Sequence, residues 1–284
     1  MIELVESHAS FEGTQSIYKH HSGAIDLPMR FSIYLPPQAS TRRVPVLFYL
    51  AGLTCNEETF AIKAGAQRYA AEHGVALVAP DTSPRGADVP GEALTWDLGV
   101  GAGFYVDATQ HPWSGRYRMY TYITRDLRET VLSSFPVLAD RVGIFGHSMG
   151  GHGALVIGLR NPDLFQSISA FAPIAAPSQC PWGVKAFSGY LGEDRETWKP
   201  YDASELIGSE IAGRFKGEIL IDQGLSDQFL AEQLRPEILK RNAERADRRV
   251  RLRRHAGYDH GYFFISTFMG DHIAHHARQL AGLN

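Results

Sequence analysis

The turn Gly146-His147-Ser148-Met149-Gly150 places a serine between two glycines, each two residues away. A serine hydroxyl is a weak nucleophile until a base takes its proton, so it does chemistry only if a histidine and an orienting carboxylate can reach it. The pattern by itself carries little weight: with 28 glycines in 284 residues, chance supplies roughly 0.2 copies. Its surroundings carry more. Arg141-Val142-Gly143-Ile144-Phe145 reads as a strand, and Gly151-His152-Gly153-Ala154-Leu155-Val156-Ile157 opens a helix at once. A sharp strand-to-helix turn needs small residues beside its apex. It lifts the hydroxyl above the sheet and aims the N-terminus of the new helix at the reacting centre. The competing reading is an ordinary serine N-cap.

Acid and base would follow later in the chain, each on a loop after a strand. Strand Gly217–Asp222 runs into Gln223-Gly224-Leu225-Ser226-Asp227-Gln228-Phe229. Asp227, on the loop, is the expected acid; Asp222, at the strand end, is its rival. Asp227 also suits the N-cap of a helix starting at Gln228. Of 12 histidines, His260 lies on a glycine-flanked loop after strand Val250–Arg254 and is the expected base, with His255 the alternative. His147 and His152 are expected to pack or hydrogen-bond within the turn. His272, His275 and His276 have a spacing that could clamp a metal, but no zinc motif accompanies them, and a solvated helix face is expected. Two backbone N–H groups are candidates for holding a developing oxyanion: Met149, after the serine, and Leu53, in the loop Ala51-Gly52-Leu53-Thr54-Cys55-Asn56.

Something must position these residues. Segments 14–21 and 28–35 alternate as half-buried strands do. Val44–Leu50 and Val75–Ala79 are short apolar runs, as expected of strands buried on both faces. Further strands fall near 141–145, 166–171, 218–222 and 249–254. Helices are expected up to His73 and across 118–134, 148–160, 203–211, 228–245 and 262–280. Alternation of this kind implies an α/β fold with a mostly parallel central sheet, an antiparallel N-terminal edge and helices on both faces. With the serine turn it specifies the α/β-hydrolase fold. Residues 1–284 read as a single domain without repeats or linkers. Two irregular stretches rich in Gly, Pro and aromatics, about 81–117 and 172–201, are expected to lie over the site.

Composition narrows the function. A net charge of −3 gives no basic footprint for nucleic acid. No apolar run approaches membrane-spanning length, and the acidic N-terminus lacks the form of a signal peptide. Two cysteines, Cys55 and Cys180, make no disulfide framework. A cytoplasmic location is expected.

Motifs outside the serine turn are more specific. Gly52-Leu53-Thr54-Cys55, Trp96-Asp97, Gly101-Ala102-Gly103-Phe104-Tyr105-Val106-Asp107-Ala108-Thr109 and Tyr117-Arg118-Met119-Tyr120 make one set. Phe145 to Ala154, Ser169-Ala170-Phe171-Ala172-Pro173, Cys180-Pro181-Trp182-Gly183, Ala186 to Gly192 and Gly257-Tyr258-Asp259-His260 make another. Together they resemble the S-formylglutathione hydrolase (esterase D) family from about residue 10 to the end. Carried over by position, the resemblance implies a triad of Ser148, Asp227 and His260, and hydrolysis of S-formylglutathione to formate and glutathione. It implies no metal or organic cofactor. The implied partner is a small glutathione thioester, with neither nucleic acid nor membrane, and homodimerisation left open. Trp96, Phe104, Tyr105 and Trp182 are candidate walls of an acyl pocket, with core packing the competing reading, and Cys55 is expected beside the leaving group. Lys185 and Arg118 are candidates to meet glutathione carboxylates. Ala175 departs from the family pattern, where a cysteine is expected. Alternatives are a general short-chain carboxylesterase, an acyltransferase and a non-catalytic hydrolase-like binding module.

Overall fold

Residues 2–282 are described by the structure, a computed structural model. Its strands are β1 (Ile2–Ser10), β2 (Gly13–Ser22), β3 (Leu27–Leu35), β4 (Val44–Leu50), β5 (Ala76–Pro80), β6 (Val137–His147), β7 (Ser167–Phe171), β8 (Ile219–Gly224) and β9 (Val250–His255). They form one sheet in the order β1-β2-β3-β5-β4-β6-β7-β8-β9. Strands β1, β2 and β3 pair antiparallel, and β3 joins β5 antiparallel. From β5 to β9 every pairing is parallel. The apolar runs of β4 and β5 are buried almost throughout, as strands covered on both faces must be.

The helices are α1 (Glu57–Lys63), α2 (Ala66–His73), α3 (Met119–Thr121), α4 (Arg128–Ser134), α5 (Met149–Arg160), α6 (Pro181–Leu191), α7 (Ala203–Leu206), α8 (Pro236–Arg245) and α9 (Tyr262–Ala281). Alternation along the strands divides the core between the two faces. Ile144 and Ile168 lie against Gly158 of α5, whereas Ser167 and Ser169, one position away, face α9 through His276. Asn56 caps α1 through the N–H groups of Glu58 and Thr59, with Thr59 returning a bond to the cap.

Several boundaries differ from expectation, each for a local reason. Strand β1 was not anticipated: none of its nine residues is buried, so no period-2 signal marks it, and pairing with β2 holds it. The 118–134 helix has a π-helical middle, Tyr122–Leu127. The expected 228–245 helix is broken before Pro236, where Arg235 takes a left-handed φ of 48°. Proline disfavours the αR region for the residue before it. Only α7 forms in 203–211. The 172–201 stretch is not irregular throughout, since it contains the 11-residue α6. The solvated face expected for His272, His275 and His276 is also corrected: all three are buried. His272 Nδ1 and His276 Nε2 each lie 2.8 Å from Ser169 Oγ, and His276 Nδ1 lies 2.7 Å from Ser167 Oγ.

Candidate active site

Strand β6 sits mid-sheet between β4 and β7, and its last residue precedes Ser148. The backbone of Ser148 adopts φ 57° and ψ −119°. L-residues rarely hold this conformation, which costs about 1–3 kcal/mol and persists only where the surroundings enforce it. Here they do. The Ser148 N–H donates to Phe171 O at 3.0 Å, and its carbonyl accepts from His152 and Ile174 at 3.0 and 3.2 Å. Chain approach is too close for side chains at either flank: a Cβ on Gly146 would lie 2.3 Å from Gly150 O, and one on Gly150 1.9 Å from Leu50 O. The loop after β4 comes equally near, since a Cβ on Gly52 would sit 3.2 Å from Ser148 Cβ. That loop turns sharply through Thr54, at φ 67°. Among the described residues, the N–H groups of Leu53 and Met149 donate to no backbone acceptor. For Met149 this is the ordinary state of a first helical residue.

Asp227 follows β8, and His260 follows β9. His260 Nδ1 lies 2.6 Å from Asp227 Oδ2. With Nδ1 engaged, Nε2 is the ring nitrogen left for proton transfer. Asp227 is buried and also accepts from Phe229 N at 2.8 Å, which closes a local turn; it is not the N-cap expected for a helix from Gln228, because the helical turn begins only at Leu230. The rivals lie elsewhere. Asp222 and His255 face each other at 3.3 Å, and Arg253 Nε reaches Asp222 at 2.6 Å. Burial alone would raise the Asp222 pKa. The bonds from Arg253 and His272 overcome this and hold the carboxyl well below the usual range.

Ser148 and His260 open onto one cleft of about 140 Å³, lined also by Gly52, Leu53, Cys55, His147, Trp96, Trp182, Phe229 and Tyr262. The loop stretches 81–117 and 172–201 contribute one tryptophan each. Trp96 meets Trp182 edge to face at 5.5 Å, Trp182 lies 4.8 Å from Phe229, and Phe229 lies edge-on to His260 at 5.0 Å. A larger cavity, about 660 Å³, lies beside Gln166, Glu218 and Arg249, near the first residues of β7, β8 and β9, and contains none of the expected site residues.

Two expected wall residues belong elsewhere. Phe104 and Tyr105 are fully buried beneath the site. The Phe104 carbonyl is 3.0 Å from His152 Nε2, and Tyr105 OH donates to Ala51 O at 2.9 Å. They support the serine helix and the Leu53 loop instead of touching substrate. Cys55 does line the cleft. Burial raises its thiol pKa, against the lowering contacts of the Thr59 and Tyr262 hydroxyls. Lys185 is paired with Asp97 and bonds Thr95 Oγ1 at 3.2 Å. Arg118 is exposed and not among the cleft residues. Sequence reasoning missed Phe229 and Tyr262 as cleft residues. Each stands two positions after a triad candidate, which was the available signal.

A hydroxyl on a strained strand-to-helix turn, sharing a cleft with a histidine backed by a buried carboxylate on this sheet, defines a serine hydrolase of the α/β-hydrolase class. The family model described as Esterase matches residues 22–275. A solved S-formylglutathione hydrolase from Agrobacterium tumefaciens is 46% identical, with a TM-score of 0.94 and an alignment covering 98% of this chain and 99% of that one. The chain belongs to the S-formylglutathione hydrolase family of esterases. More distant structures share the fold. A fluorophosphonate-binding serine hydrolase from Staphylococcus aureus is 20% identical, with a TM-score of 0.74 and coverage of 93% and 98%. A ferulic acid esterase from Anaeromyces mucronatus is 21% identical, with a TM-score of 0.66 and coverage of 99% and 93%. Among the described residues, no helix is long and apolar enough to cross a membrane.

Proposed function

We propose that this chain, acting as one hydrolase domain, hydrolyses S-formylglutathione to formate and glutathione through a formyl-serine intermediate. The observation that carries the reading is the 2.6 Å His260–Asp227 contact on the cleft that holds Ser148, in a chain 46% identical to an S-formylglutathione hydrolase. Ser148 Oγ attacks the formyl carbon as His260 Nε2 takes its proton. Asp227 orients the ring and stabilises the imidazolium. The Leu53 and Met149 N–H groups hold the tetrahedral oxyanion, at about 3 kcal/mol each in the transition state. The C–S bond breaks, His260 returns the proton to the glutathione thiolate, and water activated by the same histidine releases formate. The chemistry uses only groups of the chain and water, as a cofactor-independent enzyme would.

A cleft of about 140 Å³ walled by Trp96, Trp182 and Phe229 suits a one-carbon acyl group. Each added methylene must find room or force overpacking, at about 1–3 kcal/mol. Acetyl is therefore expected to react roughly 5- to 150-fold more slowly than formyl, and butyryl more slowly again. The test is kcat/KM for formyl, acetyl and butyryl thioesters on one glutathione carrier. A flat or rising series assigns the chain to the short-chain carboxylesterases instead. Ser148→Ala and His260→Ala are each expected to lower kcat by on the order of 10⁴, with the double variant little worse.

A further inference from the structure

Two carboxylates at the end of β8 each face a histidine, and their other partners differ in charge. Asp222 lies 3.3 Å from both His255 Nε2 and His272 Nε2 and is held by the Arg253 guanidinium. Among the described residues, Asp227 has no arginine or lysine partner. Besides His260 and the Phe229 N–H, its partner is the side-chain amide of Gln223, whose Nε2 donates to Oδ2 at 3.1 Å. This is the oxygen that faces His260 Nδ1.

Gln223 is fully buried. Its Nε2 also donates to Gly224 O at 3.0 Å, so both amide hydrogens face acceptors. Reversing the amide would set its oxygen against a carboxylate and a carbonyl, which fixes the orientation. In this orientation Oε1 is buried with no hydrogen-bond partner among the described residues. An orphaned buried acceptor is a standing cost, so the bond made by the nitrogen matters more than the satisfaction of the side chain as a whole.

We propose that Gln223 is a positioning residue that sets the strength of the Asp227–His260 pair. This rests on the triad described under Proposed function. The neutral amide fixes the carboxylate and shares the oxygen that accepts the His260 proton, yet leaves the negative charge intact. A cation here, as at Asp222, would offset the charge that stabilises the imidazolium; a second carboxylate would overstabilise it. Because Gln223 and His260 compete for one oxygen, removing the amide makes Oδ2 a stronger acceptor for the His260 ring N–H.

The test is Gln223→Leu, read by the acid limb of kcat/KM against pH and by the downfield proton resonance of His260 Nδ1–H. The limb is expected to rise by about half a pH unit, the resonance to move further downfield, and kcat to fall roughly tenfold. A rate loss with limb and resonance both unmoved means packing alone and overturns the proposal, as does an unchanged enzyme. Should Gln223→Leu fail to fold, Gln223→Glu is read the same way, with a rise of about one pH unit expected and an unmoved limb overturning the proposal. The triad is tested separately by His260→Ala. Wild-type turnover there removes the triad whatever Gln223→Leu gives.

Discussion

The ring of His147 lies 4.4 Å, centroid to centroid, from the ring of His260. Burial, reinforced by the neighbouring His260 charge, holds the His147 pKa well below the ordinary histidine value. A neutral imidazole therefore stands beside the proposed base. The acid limb of kcat/KM is expected to fall with a slope of one, reporting one proton. A slope of two would mean that His147 ionises in the same range.

The paired surroundings of Asp222 and Asp227 separate stability from catalysis. Asp227→Asn is expected to lower kcat by on the order of 10⁴ while leaving a folded protein. Asp222→Asn takes the carboxylate away from Arg253, His255 and His272, and is expected to lower stability more than Asp227→Asn does, although Arg253 keeps its pair with Asp271. Its folded fraction is expected to keep most of its turnover. Equilibrium denaturation alongside active-site titration of both variants checks this, and the reverse pattern would transfer the acid's role to Asp222.

Cys55 lines the cleft, and burial keeps its thiol protonated at neutral pH. Alkylation is expected to be slow near pH 7, to accelerate with rising pH as thiolate forms, and to block the cleft by bulk. Cys55→Ser is expected to retain most activity and lose sensitivity to the reagent. A folded Cys55→Ser as inactive as Ser148→Ala would rule out the steric account.

Trp96 is 55% exposed and meets the cleft through Trp182. Little core is lost with it, so Trp96→Ala is expected to shift the thermal midpoint only slightly. Opening the wall should raise butyryl relative to formyl kcat/KM severalfold. An unchanged ratio would mean that the wall is set by Trp182 and Phe229 alone.

Buried histidines give the fold an acid limit. Burial pushes His20, His152 and His275 down to about 4 from 6.5. Between those values the unfolded chain binds more protons than the native one, so stability present above about pH 6.5 is lost as pH falls toward 4. Each such site contributes a slope of up to about 1.4 kcal/mol per pH unit. Urea midpoints measured from pH 7.5 to 4.5 should fall along this range, and less steeply in His275→Gln.

What could be read from sequence was local. The serine turn, its glycines and the histidine loop declare themselves because their constraints act within a few residues. Helix α6 stayed hidden because Gly183 and Gly189 lower its intrinsic propensity, while burial of Trp182, Phe187 and Tyr190 sustains it. The burial of His272, His275 and His276 was illegible for a related reason. Their partners, Ser167, Ser169 and the Ile168 carbonyl, lie more than a hundred residues away on β7. Phe104 and Tyr105 were misplaced because an aromatic-rich loop gives no sign of which rings turn inward.

The contact between Gly150 and the Leu50 carbonyl ties the serine turn to the end of β4, and Tyr105 ties the next carbonyl, Ala51, to the floor beneath. The serine turn and the Leu53 loop thus form one close-packed chassis that can hardly be retuned piecemeal. Both tryptophans, by contrast, hang from insertions between strands, outside that chassis. Such a division lets selection change what the cleft admits by rewriting or exchanging insertions, while the reactive centre is inherited whole.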